Sequence, residues 1–490
     1  MPMILKSIST SGRVFESPFI VCGDDSPSDP DQSWITVLVG ENGSKKSLAL
    51  RVLMEAGLGR TEHRGHGHSL IEFTPEFAGP RPSNVIAISN TPWDRFPRGY
   101  ELSKLSTIVS TDGGRYVYIG QRAGTGKVSL RNNEKQLGYS LVENAAFLGE
   151  RAADLEPIFW KLGLELCAGI RFVPNRTIGR PDFGPWRRRS KQGFEHYLSE
   201  LPAVVRQLQE DGSISAPDRA AATAYAEFLL ETPSEVERVR ALLNSLVPSK
   251  IAFWLRPRDH KIFFGYDTIL EWRYLLYLGL IEIEGISLLP LGKQHLADKA
   301  NEAKRDSDLS SGQWNWLFNF SNLVFELRDD SLVLVDEPEN SLHPGWQREY
   351  LPTLQTVLST RVGCHAVIAT HSALIAAGLS NSWGSIRRLE PSETTDKAVR
   401  TRPLESPFAW SSDDVYQDVF GMESSRAPEF IQAVDQLLEL ISNPAQEKAD
   451  APEWAIAYLR RALEELPPHD AMRNVVAAIL RHFKQGAGRD

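Results

Sequence analysis

The sequence predicts an α/β fold organised around a parallel β-sheet, and three stretches carry that prediction. Each is a short apolar run that ends in polar residues, which is the pattern of a strand buried on both faces of a parallel sheet. Polar groups at the carboxyl ends of such strands lie where open α/β sheets bind ligands. The three stretches are Ile35–Ser47 (ITVLVGENGSKKS), Ser331–Pro344 (SLVLVDEPENSLHP) and Cys364–Ser372 (CHAVIATHS).

The first stretch has the strand, loop and helix order of a phosphate-binding loop. Backbone N–H groups of the loop would hold phosphates at the amino end of the helix, Lys46 would reach the β- and γ-phosphates, and Ser47 would bind Mg²⁺. The spacing fits G-x-x-x-x-G-K-S, except that Lys45 stands where the second glycine is expected, which leaves the rate of hydrolysis in question. The predicted nucleotide-binding residues here are Gly40, Asn42, Gly43, Ser44, Lys45, Lys46 and Ser47.

The second stretch places two carboxylates directly after an apolar run. Asp336 can hold Mg²⁺, directly or through water, because this ion prefers oxygen ligands. Glu337 can orient and deprotonate a water aimed at a phosphate. The alternative is a strand that ends in a solvated acidic turn.

Two further segments bear on the same site. In LSSGQ, residues Ser310, Ser311 and Gly312 can cap a helix whose positive end faces an anion, although an ordinary helix cap has the same sequence. His371 follows the apolar run of the third stretch. There it can bind a γ-phosphate or position a catalytic water, and a solvated histidine is the alternative.

Together these segments resemble the ABC-type ATPases, and within them the branch of the SMC, RecF and OLD proteins. GENGSKKS is similar to the Walker A motif, LSSGQ to the signature, VLVDEP to Walker B, ENSLHP to the D-loop and ATHS to the switch-histidine segment. SNTPWDRFP, YVYIGQR and the run from LSSGQ to LHPGWQ resemble stand-alone ATPases of bacterial anti-phage cassettes. The Septu-type and retron-associated ATPases, which pair with a small HNH nuclease, are of this kind.

The resemblance implies an ABC-type P-loop NTPase head that binds ATP and Mg²⁺ as a homodimer. The catalytic residues of one copy would be Glu337 and His371, and they would lie with Lys46, Ser47 and Asp336 on one side of the nucleotide. Across the nucleotide they would face Ser310 and Gly312 of a second copy. ATP binding would then close the dimer and hydrolysis would open it, so that the protein controls an effector nuclease. The alternatives are a RecF-like repair ATPase that binds DNA directly and a scaffold that holds ATP without hydrolysing it.

ATPase heads of this kind also use a glutamine that follows an earlier strand. This sequence has no clear equivalent, and the unassigned candidates for its replacement are Ser89, Asn90 and Asp94.

Periodicity and the resemblance together divide the chain into four regions. They are ATPase lobe I (1–145), a compact, mainly helical insertion (146–300), ATPase lobe II (301–405) and a helical C-terminal region (406–490), which has a helix N-cap at Ser412–Asp414.

In lobe I, the strand Asn84–Ser89 and a hairpin over Thr107–Arg122 are expected in the antiparallel side sheet of such heads. In the insertion, helical spacing covers Arg151–Cys167. A basic cluster in the insertion would contact nucleic acid; the alternatives are a solvated loop and a patch that binds an acidic partner. The cluster consists of Arg187, Arg188, Arg189 and Lys191.

Length, net charge, cysteine number and the lengths of apolar stretches limit the classes of function that fit this chain. The 490 residues are enough for more than one lobe, and the net charge of −9 argues against a coat for non-specific DNA binding. Three cysteines far apart in the sequence predict no disulfide scaffold, and no apolar stretch approaches the length of a membrane span. The sequence therefore predicts a cytoplasmic ATP-driven protein that does not enter a membrane.

Overall fold

The structure is a computed structural model. It describes residues 2–486 apart from 12–13, 26, 28, 30, 65–69, 92–95, 98–108, 112–114, 121–129, 146–147, 176–186, 211–213, 215, 247–249, 256–268, 293–308, 395–397, 423, 425 and 443–451. The chain forms two compact units, Met1–Ala409 and Trp410–Asp490.

The strands of the larger unit form three sheets, whose order is given below. They are β1 (Ile4–Thr10), β2 (Phe19–Ile20), β3 (Trp34–Val39), β4 (Glu62–His63), β5 (Ile71–Ala78), β6 (Val85–Ser89), β7 (Val109–Thr111), β8 (Tyr116–Gly120), β9 (Leu164–Pro174), β10 (Lys250–Leu255), β11 (Ile281–Pro290), β12 (Leu332–Asp336), β13 (His365–Ala369), β14 (Gly384–Pro391) and β15 (Val399–Leu404).

The helices alternate with these strands and also make up the smaller unit. They are α1 (Lys46–Gly57), α2 (Leu130–Glu143), α3 (Ala152–Lys161), α4 (Arg187–Glu210), α5 (Ala216–Glu231), α6 (Pro233–Ser245), α7 (Ile269–Tyr277), α8 (Ser311–Glu326), α9 (Pro344–Leu358), α10 (Ala373–Ala376), α11 (Ser412–Asp414), α12 (Pro428–Ser442), α13 (Glu453–Glu465) and α14 (Ala471–Gly486), with a π-helical turn at Val415–Val419.

The main sheet has the order β15-β14-β3-β13-β12-β6-β8-β7. Its six inner strands run parallel, and an antiparallel strand closes each edge. Every residue of β3, β12 and β13 is buried, as expected of apolar strands covered on both faces. Asp336 pairs with Ser89 on one side and with Ala369 on the other. The polar residues that follow these strands therefore meet at one edge of the sheet, and the predicted α/β fold with a central parallel sheet is confirmed.

A second, antiparallel sheet has the order β2-β1-β5-β4 and is the predicted side sheet. The prediction was wrong in placing β6 and the β7–β8 hairpin there, because both belong to the main sheet, where β6 and β8 run parallel. Every residue of β6 and β8 is buried. Such strands need cover on both faces, which the centre of a parallel sheet provides.

The region between α2 and β11 combines helices α2–α7 with a third sheet, of order β10-β9-β11. The helix predicted over Arg151–Cys167 ends at Lys161, and residues from Leu164 onward pair with β11 instead. Gly163 lies between them with φ 68°, a left-handed conformation that ends the helix. The division of the larger unit into two lobes and an insertion stays a prediction.

The smaller unit is a set of amphipathic helices with its own core, formed mainly by α12, α13 and α14. The helix N-cap lies one residue before the predicted segment: the Ser411 hydroxyl accepts a hydrogen bond from the Asp414 N–H, because the chain is still extended at Ser411. The buried core residues are Phe430, Ala433, Val434, Leu437, Ala455, Leu459, Val476 and Ile479.

Two further features of the described residues are the state of the cysteines and the length of the apolar helices. Cys22, Cys167 and Cys364 are all buried, and none of the three forms a disulfide. Within the described ranges, no helix combines the length and apolar character needed to cross a bilayer.

Candidate functional site

The loop between β3 and α1 is shaped by close approach of the backbone. Gly40 has φ 153°, and a Cβ there would come within 2.6 Å of the Leu389 carbonyl oxygen on β14. Gly43 has φ 83°, which glycine adopts without steric cost. Asn42 and Gly43 are exposed at the tip, and Ser44 is half-buried. The close approach at Gly40 and the positive φ at Gly43 therefore fix the path of the loop, and its binding of phosphate stays a prediction.

Lys46 begins α1 and folds back over this loop. Its Nζ donates hydrogen bonds to the carbonyl oxygens of Gly40 (2.8 Å) and Glu41 (3.0 Å) and to Ser44 Oγ (3.2 Å). Burial lowers the pKa of the ammonium to about 8, while the carboxylates of Glu337, Glu339 and Asp336 oppose that shift. The Lys46 ammonium is thus a desolvated cation facing three carboxylates, where a phosphate would gain most from it.

This pKa predicts how nucleotide affinity depends on pH. Because the pKa of Lys46 is lowered to about 8, the ammonium loses its proton as the pH rises through 8. We expect the MgATP dissociation constant to be flat from pH 6.5 to 7.5 and to rise about tenfold per unit above pH 8. Calorimetric titrations at pH 7, 8 and 9 measure this, and unchanged affinity at pH 9 would contradict it.

Lys45 adopts the left-handed conformation that the missing glycine would take. Its φ is 65° and its ψ is 24°, and it is the N-cap of α1 without a side-chain cap bond. Burial lowers the pKa of its ammonium. A non-glycine residue in this region costs about 1–2 kcal/mol, so lysine keeps the loop conformation under strain.

Lys45→Gly is therefore expected to stabilise the protein by about 1 kcal/mol in denaturant unfolding, with Lys45→Ala as the matched control. Alanine removes the ammonium but keeps the conformational cost, so its stability should stay near that of the wild type. If the lysine side chain also obstructs phosphate, both variants should raise kcat for ATP. Equal stability of the glycine and alanine variants would show that Lys45 is not strained.

Ser47 and Asp336 form the oxygen pair predicted to hold Mg²⁺. The Ser47 hydroxyl donates to Asp336 Oδ1 at 3.1 Å, and Asp336 is 2% exposed. Mg²⁺ is commonly bound by one or two protein oxygens together with phosphate oxygens and water. No group of three or more histidine, cysteine or acidic side chains is placed to hold a metal in the described part of the chain. The donor set therefore fits Mg²⁺ shared with a nucleotide.

Glu337 begins a tight turn after β12. Its φ is 48°, its N–H donates to the Ala369 carbonyl at 2.9 Å, and its Oε2 accepts from Asn340 Nδ2 at 2.9 Å. These bonds tie the backbone of Glu337 to β13 and orient its carboxylate. The negative charge of Glu337 favours the protonated forms of Lys46 and His371, so it acts against the burial that lowers both pKa values.

His371 follows β13 and is half-buried. Burial and the Lys46 charge lower the pKa of its imidazole, and Glu337 acts against them. The lowered pKa favours the neutral imidazole, which has a ring nitrogen able to accept a proton or a hydrogen bond.

Glu339 is a site residue that sequence reasoning missed. Its Oε1 accepts from the His371 N–H at 2.6 Å and its Oε2 from Thr370 Oγ1 at 2.8 Å, so one carboxylate holds the loop that carries the histidine. Burial raises the pKa of this carboxyl, and its bonds to His371 and Thr370 act against that shift. A signal was present in the sequence: a second acid two residues after Glu337, next to a predicted ligand site.

Glu339→Gln is expected to lower kcat about tenfold with little change in KM. The amide replaces one of the two acceptor oxygens with an NH2 group, which faces a donor, and a charge-assisted hydrogen bond contributes about 1.5–3 kcal/mol. Steady-state ATPase assays measure this. Glu349→Gln is the control, because that half-exposed glutamate pairs with Lys161 outside the site. A Glu339 variant with normal kcat would show that the hydrogen bonds of the Glu339 carboxylate do not position His371.

The predicted signature segment forms the start of α8. Ser310 is its N-cap in a capping box: Ser310 Oγ accepts from the Gln313 N–H at 3.3 Å, and Gln313 Oε1 accepts from the Ser310 N–H at 2.9 Å. Ser310 and Ser311 are exposed, whereas Gly312 is buried. A Cβ at Gly312 would come within 2.3 Å of the Ser341 carbonyl oxygen, so only glycine lets α8 approach the loop after β12 this closely.

Of the three candidates for the missing glutamine, the structure describes two. Asn90 is buried; its Nδ2 donates to the Pro338 carbonyl at 3.2 Å, and its Oδ1 accepts from Asn319 Nδ2 at 2.7 Å. Asn90 thus joins α8 to the loop after β12. Ser89 is buried beside Asp336, and Asp94 lies outside the described residues. The replacement stays unassigned.

The basic cluster Arg187–Lys191 lies in the first turns of α4, and its side chains are outside the described residues. Its predicted contact with nucleic acid stays a prediction. The structure does bring Lys46, Ser47, Asp336, Glu337 and His371 together at one edge of the main sheet.

Comparison with known proteins gives matches to parts of the chain. A family model described as "AAA domain, putative AbiEii toxin, Type IV TA system" matches residues 284–377, which include α8, β12 and β13. Protein ea59 of Escherichia phage lambda is 40% identical over 84 residues, which are 17% of this chain and 16% of that protein. Septu protein PtuA of Bacillus thuringiensis is 27% identical over 128 residues, 24% of this chain and 29% of that protein. The chain thus matches less than a third of the length of either relative.

Two solved structures also align over most of the chain. The Smc head domain of Pyrococcus furiosus, bound to the C-terminal domain of ScpA, aligns with 82% of this chain and 96% of that chain at 11% identity and a TM-score of 0.30. The recombination mediator RecF aligns with 82% of this chain and 98% of that chain at 10% identity and a TM-score of 0.26.

Proposed function

We propose that this chain, an ABC-type ATPase of the SMC and RecF kind related to Septu PtuA, is an ATP-hydrolysing dimeric switch that controls a partner nuclease in bacterial anti-phage defence. The observation that carries the ATPase part is the convergence of Lys46, the Ser47–Asp336 pair, Glu337 and His371 at the carboxyl edge of the parallel sheet. Parallel-sheet enzymes bind ligands at this edge.

Each side chain then has a role that its surroundings favour. The loop amides and Lys46 bind and orient the triphosphate. Ser47 and Asp336 would hold Mg²⁺, which supplies positive charge to the phosphates when bound. Glu337, held by Asn340, orients a water and takes its proton, and neutral His371 accepts a hydrogen bond from that water or donates one to the γ-phosphate.

The dimer is supported by the signature helix. Ser310 and Ser311 lie exposed at the positive end of the 16-residue helix α8, where hydroxyls and backbone N–H groups favour an anion. In the proposed dimer, this end of each α8 faces the nucleotide of the other copy. Closure then depends on the γ-phosphate, which makes ATP hydrolysis the opening step.

Ser311→Arg in a Glu337→Gln background tests the dimer. The glutamine variant with MgATP is expected to sediment as a dimer, and the added arginine should keep it monomeric by filling the space before α8. Ser359→Arg is the matched control, because that exposed serine lies at the carboxyl end of α9, where a cation is tolerated. Dimerisation of the Ser311→Arg variant at the same MgATP concentration would reject the proposed interface.

The effector role is supported by similarity to Septu PtuA and by the resemblance to defence-cassette ATPases. We expect the product of the neighbouring gene to co-purify with this cytoplasmic protein and to cut DNA in a manner set by the bound nucleotide. Tight, salt-sensitive and ATP-dependent DNA binding by the isolated chain would favour the RecF-like alternative. Absence of turnover, with a dimer that persists on MgATP, would favour the scaffold.

A further inference from the structure

The smaller unit leaves more apolar surface uncovered than its share of the chain would suggest. Eleven large hydrophobic side chains are exposed among the residues that the structure describes, and five of them lie in this unit, which is about a sixth of the chain. The five are Met422, Leu438, Trp454, Tyr458 and Val475. Trp454 and Tyr458 lie one turn apart on α13, so this helix presents an aromatic pair at the surface of the unit.

The aromatic pair belongs to a longer stripe along α13. Residues spaced four, seven and eleven positions apart share one side of an α-helix, and α13 buries a different side in the core of its unit. We call the exposed set the α13 stripe; it consists of Trp454, Tyr458, Arg461 and Glu465. The exposed fractions are 45% and 37% for the two aromatic residues and 82% and 67% for the two charged side chains. Aromatic rings therefore occupy the amino half of the stripe and charges its carboxyl half.

The α13 stripe is complementary to itself when two copies of the helix run antiparallel. That orientation places the amino half of each stripe against the carboxyl half of the other, and twofold symmetry makes every contact twice. In the register that sets Tyr458 opposite Arg461 of a second copy, Trp454 lies opposite Glu465, because the two pairs have the same midpoint along the helix. A guanidinium over a tyrosine ring forms a cation–π contact, and an indole N–H donates to a carboxylate.

The charges of the stripe favour a second copy over other occupants. Arg461 Nε donates to Glu465 Oε1 of its own helix at 2.9 Å, so the stripe has no net charge. A nucleic acid would bring its phosphates against the Glu465 carboxylate, and a parallel pair of helices would set like charges opposite each other. An antiparallel copy supplies both an aromatic surface and a charged pair in the order that the stripe needs. Tryptophan, tyrosine and arginine are also the residues that contribute most to protein interfaces.

We propose that two copies of this chain associate through antiparallel packing of their α13 stripes, and that this association needs no nucleotide. The proposal goes beyond the ATP-dependent dimer and does not rest on it, because α13 and the start of α8 are different surfaces. A single pair of helices buries less than the roughly 1,200–2,000 Å² of a stable interface, so the association is reversible and has a micromolar dissociation constant. Combined with nucleotide-closed dimers, it would join them into a larger assembly.

Sedimentation velocity of the full chain without nucleotide, at about 100 µM protein, tests the proposal. The wild type is expected to form a reversible dimer. Tyr458→Arg should raise its dissociation constant at least about tenfold, because it sets an arginine opposite Arg461 at two symmetric places. Tyr458→Arg combined with Arg461→Tyr exchanges the two side chains and should restore the dissociation constant to within about threefold of the wild type. Val475→Arg is the matched control, since it makes a similar change at an equally exposed apolar position of α14 and should have no effect.

Each result supports or rejects the association. A wild type that stays monomeric at this concentration rejects it, and so does a Tyr458→Arg variant that dimerises like the wild type. If Val475→Arg dissociates the dimer equally, the contact lies elsewhere on the unit. Failure of the exchanged pair to restore the dimer rejects the antiparallel register. Circular dichroism of every variant must match the wild type, as expected for changes at exposed positions. Because no nucleotide is present, failure of the ATPase function would leave these results unchanged.

Discussion

Glu337→Gln is expected to lower kcat for ATP at least a hundredfold while MgATP affinity stays within about threefold of the wild type. A general base contributes about 10²–10⁴ to the rate, and glutamine keeps the size of the side chain but cannot take a proton. Asn340 holds Glu337 Oε2 at 2.9 Å, and a glutamine can keep that contact through its oxygen. Steady-state phosphate release and calorimetric MgATP titration measure the two quantities.

Glu349→Gln serves as the control, because it makes the same chemical change at a half-exposed position of α9. Asn340→Ala should give an intermediate loss of kcat, since it removes the group that orients the carboxylate and keeps the base. Substantial turnover by Glu337→Gln would mean that another group accepts the proton, for which His371 is the candidate because it interacts with Glu337.

Lys46→Met is expected to weaken MgATP binding at least a hundredfold. The ammonium is the cation that Asp336, Glu337 and Glu339 face, and charge-assisted hydrogen bonds to phosphate contribute about 1.5–3 kcal/mol each. Without it, those carboxylates repel the triphosphate that Lys46 attracts. Calorimetric titration measures the loss, with Lys6→Met, a change on the side sheet beside Asp24, as the control.

The same variant has a second expected effect that does not depend on nucleotide. Because Lys46 lowers the pKa of His371 and Glu337 raises it, removal of the ammonium should move the His371 pKa upward. Titration of the histidine ring signals by NMR in wild type and variant measures this shift. An unchanged His371 pKa would show that the two side chains are not close enough to interact, and would separate His371 from the site.

The three apolar runs allowed the best predictions of local structure. Strands β12 and β13 lie within two of the three predicted stretches, and β3 begins one residue before the remaining stretch, at Trp34. Short runs of this kind favour a central strand, because consecutive side chains of an extended segment point to opposite faces and four or five apolar residues in a row then need cover on both faces. The cap at Ser310 was predictable for a similar reason, since serine before an S-G-Q helix start satisfies free N–H groups locally.

Predictions failed where partners distant in the sequence decide the structure. The β6 and β8 strands look the same in sequence whether they join the side sheet or the main sheet, and pairing of β6 with β12 decides it. Glu339 was overlooked because its role depends on Thr370 and His371, which lie 31 and 32 residues away along the chain. Asn90 likewise contacts Asn319 and Pro338, more than 200 residues away.

Local order in the chain predicts the residues for phosphate and a divalent cation, since glycines, a lysine, a serine and two acids at these spacings are typical of that chemistry. How the groups are held and oriented depends on contacts between segments that are distant in the sequence. Parallel pairing of β12 with β6 and β13 brings separate loops to one edge of the sheet, and β14 lies against the loop that follows β3. The physical reason is that side-chain chemistry belongs to single residues, whereas burial, distance and pKa depend on segments that meet only when the chain folds.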